Sequence, residues 1–368
     1  MRYYIIAGEA SGDLHGANLI RALRQQDAAA EFRIWGGDEM AAAACSAPVR
    51  HIRDLAIMGF VEVATHLRTV LGNISFCKRD ILDYQPDVVV GIDYPGFNLK
   101  IEQWAHKQGF RTAHYISPNL WAWKKGRIRG MKQNLDLLCY ILPFEEKFFA
   151  EQKMKQALYV GHPLIDAVKD KVLQPDLQRK QHVIALLPGS RRQELKHNLP
   201  LMAHLAAQHP EYHFIVAGMS LLGDAIYHQY LPAANNLEVV YDQTYPLLAN
   251  AYAAIVCSGT ATLEAALFNV PQVVCYRANP VSIAIAKAIV SRRIRYISLV
   301  NLIANQTVVT ELIQNDFNAA RLEKEFQQIT TDDANRIRIF NQYAALRIQL
   351  GGSGASDRTA QAIIDLLK

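Results

Sequence analysis

A doubly wound α/β protein with parallel sheets, divided into two domains, is the architecture this sequence predicts. Three observations predict it. Apolar runs of strand length alternate with helical patterns along almost all of its 368 residues, the signature of parallel strands covered by helices on both faces. That length exceeds one ordinary domain and fits two. In both halves, strand-like runs end in small-residue turns that open a helix: Gly8-Glu9-Ala10-Ser11-Gly12-Asp13, Pro188-Gly189-Ser190-Arg191 and Ser258-Gly259-Thr260-Ala261. Small residues at a helix start let backbone N–H groups approach an anion, and the helix dipole favours negative charge there. The pattern implies two nucleotide-binding-type domains facing a shared cleft.

Taken in order, strands are expected at 3–7, 32–35, 87–92, 111–116, 137–142 and 157–160, the last closed by Gly161-His162-Pro163. The run at 87–92, Asp-Val-Val-Val-Gly-Ile, reads as a central, fully buried strand. A polar stretch from Lys169 to Gln181, with Pro175 inside it, reads as the linker. The second half then places strands near 183–187, 213–217, 237–240, 253–257 and 272–276. Gly351-Gly352-Ser353-Gly354-Ala355 precedes a final amphipathic helix from about Arg358 to Leu367, with Ser356 or Asp357 as its cap. That segment carries the last helix either to the first domain or to a partner chain in a homodimer. The domains expected are 1–168, joined by 340–368, and 169–339.

Composition narrows the class. Half of the residues, 51%, are hydrophobic and 20% are charged, enough for a core and without a disorder signature. A net charge of +5 leaves room for an anionic partner and does not by itself point to nucleic acid. Cys45, Cys77, Cys139, Cys257 and Cys275 lie far apart with no C-x-x-C pair, which fits a reducing cytoplasm better than a disulfide framework or a zinc site. Met1-Arg2 leads directly into a strand with no signal-peptide pattern, and no uncharged apolar run reaches the ~18–20 residues needed to span a bilayer. A soluble or peripheral protein is expected.

Among the residues that can carry chemistry, Arg191 beside its turn could clamp a pyrophosphate with its guanidinium. Gly189 and Ser190, with Ser258, Gly259 and Thr260, would offer amides and hydroxyls to the same phosphates. Glu264, one helical turn beyond Thr260, could accept hydrogen bonds from ribose hydroxyls. The alternative is a pair of ordinary capped turns. In the first half, Glu9 and Asp13 put carboxylates at a strand-to-helix turn, although the G-x-G-x-x-G spacing is absent. Asp93 emerges at the end of the buried 87–92 run, where burial would raise its pKa toward that of a general base; it could equally be a turn or N-cap aspartate. Trp121 and Trp123 beside Lys124, Lys125, Arg127, Arg129 and Lys132 fit single-stranded nucleic acid, an anionic head group or a solvated helix. With no second basic stripe of comparable size, a nucleic-acid partner is not expected. The stretch Leu55–Ala64, continuing through Leu67, Val70, Leu71 and Ile74, is more apolar than a surface helix needs, with Arg68, Lys78 and Arg79 nearby. It is either an interfacial segment or a helix packed on the sheet, and periodicity alone favours packing. There is no D-x-D and no metal-ligand spacing of histidines, so neither metal nor cofactor is expected.

These residues resemble the lipid-A-disaccharide synthase family. The resemblance rests on Ala7–Asp13, Met58–Val63, Gly91–Asn98, Tyr115–Trp123, Leu142–Glu145 and Gly161–Pro163 in the first half. Leu187–Arg191, Ser258–Glu264 and Ser298–Leu302 carry it in the second, so it covers nearly the whole chain in order. It implies a GT-B glycosyltransferase with two Rossmann-like domains around a central cleft. The implied reaction moves 2,3-diacylglucosamine from its UDP derivative to 2,3-diacylglucosamine 1-phosphate. The β-1,6 lipid A disaccharide forms with inversion, UDP leaves, and the enzyme sits on the anionic cytoplasmic face of the bacterial inner membrane. The alternative is another GT-B UDP-N-acetylglucosamine transferase or a UDP-sugar 2-epimerase, which would share the Ser258–Glu264 turn without needing the apolar 57–74 segment. By resemblance Asp93 is the base for the acceptor hydroxyl, Glu9 its companion and Arg191 the leaving-group arginine. Asn301 falls on an active-site position, and Phe60, Val61, Val63, Leu67, Val70 and Leu71 belong to a membrane-dipping, acyl-facing segment, which turns the expectation for that stretch toward the membrane. Gly96 stands where some members carry a second acidic residue.

Overall fold

Strand follows helix from the first residues of the chain. The computed structural model describes residues 1–55, 67–118, 127–169, 182–232, 234–277 and 295–368. It divides into two units: Met1–Ala167 with Leu350–Lys368, and Val168–Gln349.

Unit 1 holds a seven-stranded sheet. Its strands are β1 (Arg2–Ala7), β2 (Glu31–Gly36), β3 (Arg50–His51), β4 (Val88–Ile92), β5 (Arg111–Tyr115), β6 (Leu137–Tyr140) and β7 (Ala157–Tyr159). They lie in the order β3-β2-β1-β4-β5-β6-β7, and every pairing is parallel. β4 reads Val-Val-Val-Gly-Ile and is buried along its whole length, as a central strand covered on both faces must be. Tyr4, Ile6, Trp35, Val89, Phe97 and Ile101 form the core on the face covered by helices Leu67–Tyr84 and Pro95–Lys107. Helices Ala10–Gln26 and Ala355–Leu367 pack against each other, and the latter also meets β5 and β6.

That last helix is fastened to its own chain. The Asp166 carboxylate accepts from the amides of Gly354 (2.5 Å) and Ser356 (3.0 Å), satisfying donors a helix start leaves open. Arg358 Nε donates to the Val160 carbonyl at 2.8 Å. Gly161, at φ +83, leaves room for the guanidinium, whose Nη2 would lie 2.6 Å from any Cβ placed there.

Unit 2 repeats the plan with β8 (Val183–Leu187), β9 (His213–Gly218), β10 (Leu237–Tyr241), β11 (Ala253–Cys257), β12 (Gln272–Tyr276) and β13 (Thr310–Ile313). The order is β10-β9-β8-β11-β12-β13, again all parallel. β3 and β13 were not expected. Both are edge strands, one two residues long and one four, and the second begins with two polar residues, Thr310 and Glu311, so neither is a continuous apolar run. The linker expected at 169–181 lies, apart from its first residue, outside the described residues.

Candidate active site

An open parallel sheet binds ligands beyond the carboxyl ends of its strands, where the strand order reverses. In unit 1 the order reverses between β1 and β4. Ala7 pairs with Ile92 at the ends of those strands, so Gly8-Glu9 and Asp93-Tyr94 are the next residues on either side of the crevice. Tyr94 fixes the approach: a Cβ on Gly8 would lie 2.5 Å from its ring, so only glycine lets the two turns come this close. Glu9 is the exposed N-cap residue of helix Ala10–Gln26. Burial, then the charge of Glu9, pushes the Tyr94 hydroxyl up to about 12.

Asp93 is partly buried and sits at a sharp elbow, with φ 45 there and φ 51 at Tyr94. Aspartate tolerates this left-handed region; tyrosine does so less readily. The elbow is held from both sides. The Asp93 amide donates to the Tyr115 carbonyl at 2.9 Å. The fully buried Asn98 amide donates to the carbonyls of Asp93 (2.8 Å), Ile6 (3.2 Å) and Ile92 (3.3 Å), tying the ends of β1 and β4 together. A carboxylate so fixed can meet a hydroxyl proton without first being ordered. Asp13, by contrast, turns away from the crevice. Its buried carboxylate accepts from the amides of Gly37 (2.6 Å), Glu39 and Met40 (both 3.1 Å) and so caps helix Asp38–Ala44.

In unit 2 the order reverses between β8 and β11, and both phosphate-type turns lie there. Arg191 is the N-cap of the 17-residue helix Arg192–Gln208. Its side chain is 53% exposed, and its guanidinium stands 4.0 Å from Glu194. Glu194 also accepts from the Ser190 amide at 2.9 Å and crowds Gly189, where φ +119 leaves no room for a side chain. Gly259 caps helix Thr260–Leu267 in an extended conformation, and a Cβ there would meet nothing within 4 Å. The protein's own packing therefore does not demand glycine at 259, as it does at 8 and 189. The Ser258 hydroxyl donates to the Ile297 carbonyl at 3.0 Å. Glu264 accepts from the Tyr245 hydroxyl at 3.1 Å, and burial raises its pKa.

Asn301 stands apart. It is fully buried, its Oδ1 accepting from the amides of Val308 and Val309 and its Nδ2 donating to Val309 and Glu311. All four positions of its amide are occupied inside unit 2. Its side chain ties Val308, Val309 and Glu311 together, and its backbone amide donates to the Ser298 hydroxyl. Of the apolar segment, Phe60, Val61 and Val63 lie outside the described residues, as does Trp121–Trp123. Leu67 opens helix Leu67–Tyr84, Val70 packs on the unit 1 core and Leu71 is 51% exposed.

Asn98, Glu194 and the buried pair Glu102–His114 were not singled out from sequence. Asn98 lies one and a half turns after Asp93 and inside the same motif, which was the available signal. A second buried acid, Glu145, accepts from the Ser117 hydroxyl (3.0 Å) and the Leu142 amide (3.2 Å), and burial pushes it up to about 8. Among the described residues no group of three or more His, Cys, Asp or Glu is placed to hold a metal ion, and no helix is long and apolar enough to cross a membrane.

Two parallel units with carboxylates at one switch point and phosphate-type turns at the other define a GT-B protein. Solved structures share the fold: a UDP-GlcNAc 2-epimerase from Neisseria meningitidis bound to UDP-GlcNAc (TM-score 0.67, 14% identity, covering 99% of this chain and 100% of that one). The glycotransferase of kitacinnamycin is another (TM-score 0.64, 15% identity, 100% and 99% covered). The family follows from sequence. A family model described as lipid-A-disaccharide synthetase matches residues 3–364, and the chain belongs to that family of glycosyltransferases. Relatives named lipid-A-disaccharide synthase include one from Acidobacterium capsulatum, 38% identical over 96% of this chain and 92% of its own. Another, from Alcanivorax borkumensis, is 37% identical over 99% and 97%.

Proposed function

We propose that this chain transfers 2,3-diacylglucosamine from its UDP derivative to the 6-hydroxyl of 2,3-diacylglucosamine 1-phosphate, giving the β-1,6 disaccharide 1-phosphate and UDP. The family match along residues 3–364, which spans both switch points, carries the reading. Asp93 takes the acceptor proton, its elbow kept in place by Asn98 and Tyr115. Glu9, across the crevice, orients the acceptor. As the acceptor oxygen bonds to the anomeric carbon, the bond to UDP breaks and negative charge grows on the pyrophosphate. The amides at the starts of helices Arg192–Gln208 and Thr260–Leu267, with Arg191, receive that charge. Gly189, Ser190, Ser258, Gly259 and Thr260 line the phosphates, Glu264 takes the ribose hydroxyls, and Asn301 supports the neighbouring turn. The 57–74 segment, with Leu71 at its surface, brings the acyl chains from an anionic bilayer on the cytoplasmic face of the inner membrane.

The test is a mass-spectrometric assay of the purified protein in mixed micelles with both acylated substrates and no divalent metal. A tetraacyl disaccharide 1-phosphate appearing with UDP is the expected result. Turnover of unacylated UDP-GlcNAc in its place would move the chain to another activity of the same fold. Asp93→Asn should lower turnover by at least ~10² with UDP binding nearly intact. Near-normal turnover would remove Asp93 from the base role.

A further inference from the structure

One buried pair in unit 1 has no part in the transfer described above. His114, on β5, and Glu102, on helix Pro95–Lys107, are 0% and 1% exposed and meet Nδ1 to Oε1 at 2.7 Å. Their outer atoms, His114 Nε2 and Glu102 Oε2, are buried without a hydrogen-bond partner. A buried ionisable pair left incompletely satisfied is a poor stabiliser compared with apolar residues of the same volume. Such pairs concentrate where their charge is used.

The position of this one is informative. His114 is in register with Gly91, two residues before Asp93, and a Cβ on Gly91 would lie 2.1 Å from Glu102 Oε1. The Asp93 amide bonds to the carbonyl of Tyr115, the residue after His114. Beyond it the chain turns through φ 70 at Ile116, a strained value for a β-branched residue, just as β4 ends at φ 45 on Asp93. The ring thus lies on the strand beside the one that carries Asp93, where both end in left-handed turns.

We infer that His114, held by Glu102, is a positioning residue that sets the charge of the Asp93 carboxylate. The inference rests on the reading of Asp93 as the base. Two carboxylates act on the ring, Glu102 from its helix and Asp93 from the end of β4. The adjoining β6 sets the apolar Leu138 in register with the ring, while the Cys139 thiol, in register with Tyr115, belongs to the opposite face of the sheet. Burial alone would strip the proton from His114; Glu102, Asp93 and the backbone of Ile116 together outweigh it and raise its pKa. Coupling between two titrating groups is reciprocal. The imidazolium that Asp93 favours therefore favours the Asp93 carboxylate, so the base stays charged to lower pH than it would alone.

The experiment is the pH profile of kcat/KM for the full-length protein in mixed micelles, with His114→Gln and Glu102→Gln beside the wild type. Either substitution removes the imidazolium, and the midpoint of the acidic limb should rise by about 1 pH unit. In otherwise unaltered protein, Asp93→Asn should lower the pKa of His114 read from its ring carbon by NMR, a result that needs no activity and no core variant to fold. Profiles that superimpose on the wild type after scaling, with an inactive Asp93→Asn and an unmoved His114 titration, would overturn the inference. An active Asp93→Asn would instead overturn the base reading beneath it.

Discussion

Gly8→Ala tests how tightly the candidate base is held. On this backbone the new Cβ would lie 2.5 Å from Tyr94 Cγ and 2.6 Å from both Cδ atoms. Carbon atoms pack at about 3.5–4.0 Å, so the ring must retreat by about 1 Å. It has little freedom to do so. Tyr94 occupies a left-handed turn at φ 51 and packs on Phe97 with ring centroids 5.6 Å apart. The movement therefore passes to Asp93, its neighbour in the elbow. Overpacking of this kind costs about 1–3 kcal/mol of stability. A displacement of about 1 Å in a reacting group costs about 10² in rate, or ~2.7 kcal/mol of barrier. Gly259→Ala is the matched control. Its Cβ meets nothing within 4 Å and the backbone is extended, so stability should fall by no more than about 1 kcal/mol. The KM for the UDP donor should nevertheless rise about tenfold or more, since the methyl group stands where phosphates approach the helix start. Steady-state kinetics and urea unfolding read both effects. If Gly8→Ala loses stability and keeps its kcat, Tyr94 is only packing and the argument linking it to Asp93 is wrong.

Three further outcomes are expected. Burial holds His15 and His162 neutral, with pKa values pushed down to about 4 and about 3. Their contribution is complete above the unfolded value near 6.5 and is lost as pH falls, by about 2 kcal/mol per ring at pH 5. Unfolding curves of wild type and His162→Gln should therefore converge by about that amount between pH 7 and pH 5, and a constant gap would contradict the assignment. Glu145 behaves oppositely: its raised pKa of about 8 means stability is greatest below 4.5 and is lost as pH rises through 8. Glu145→Gln should be costly at pH 5, where a donor replaces an acceptor, and less so at pH 8; parallel pH profiles would refute this. Asn301→Ala, which strands the amides of Val308 and Val309, should cost at least ~2 kcal/mol. A stable Asn301→Ala protein that has lost UDP affinity would show that the side chain reaches the ligand.

Much of this organisation is legible in the sequence because buried parallel strands are continuous apolar runs. Val88–Ile92 and Ala253–Cys257 are examples, and the turns after them mark the switch points. What local pattern misses is where a side chain goes once the turn is made. Asp13 and Glu9 look alike in sequence, yet the helix carries Asp13 to the amides of Gly37–Met40 and leaves Glu9 at the mouth. Asn301 is satisfied by Val308, Val309 and Glu311, partners that only the packed turn assembles. The Glu102–His114 pair joins a helix to a strand 12 residues away, a contact that no periodicity reports.

The fastening of helix Ala355–Leu367 to Asp166, Val160 and Gly161 sets an order of events in the cell. Unit 1 is interrupted by Val168–Gln349, roughly 180 residues that must be made before its final helix exists, some 10–35 s of synthesis at ordinary elongation rates. Through that interval the nascent unit 1 sheet waits with Tyr115 and Cys139 uncovered on the side that the helix later seals. Unit 2, contiguous in the chain, has everything it needs to fold first. The protein's most exposed moment is therefore on the ribosome, and a stalled or shortened chain would present an apolar sheet to the chaperones.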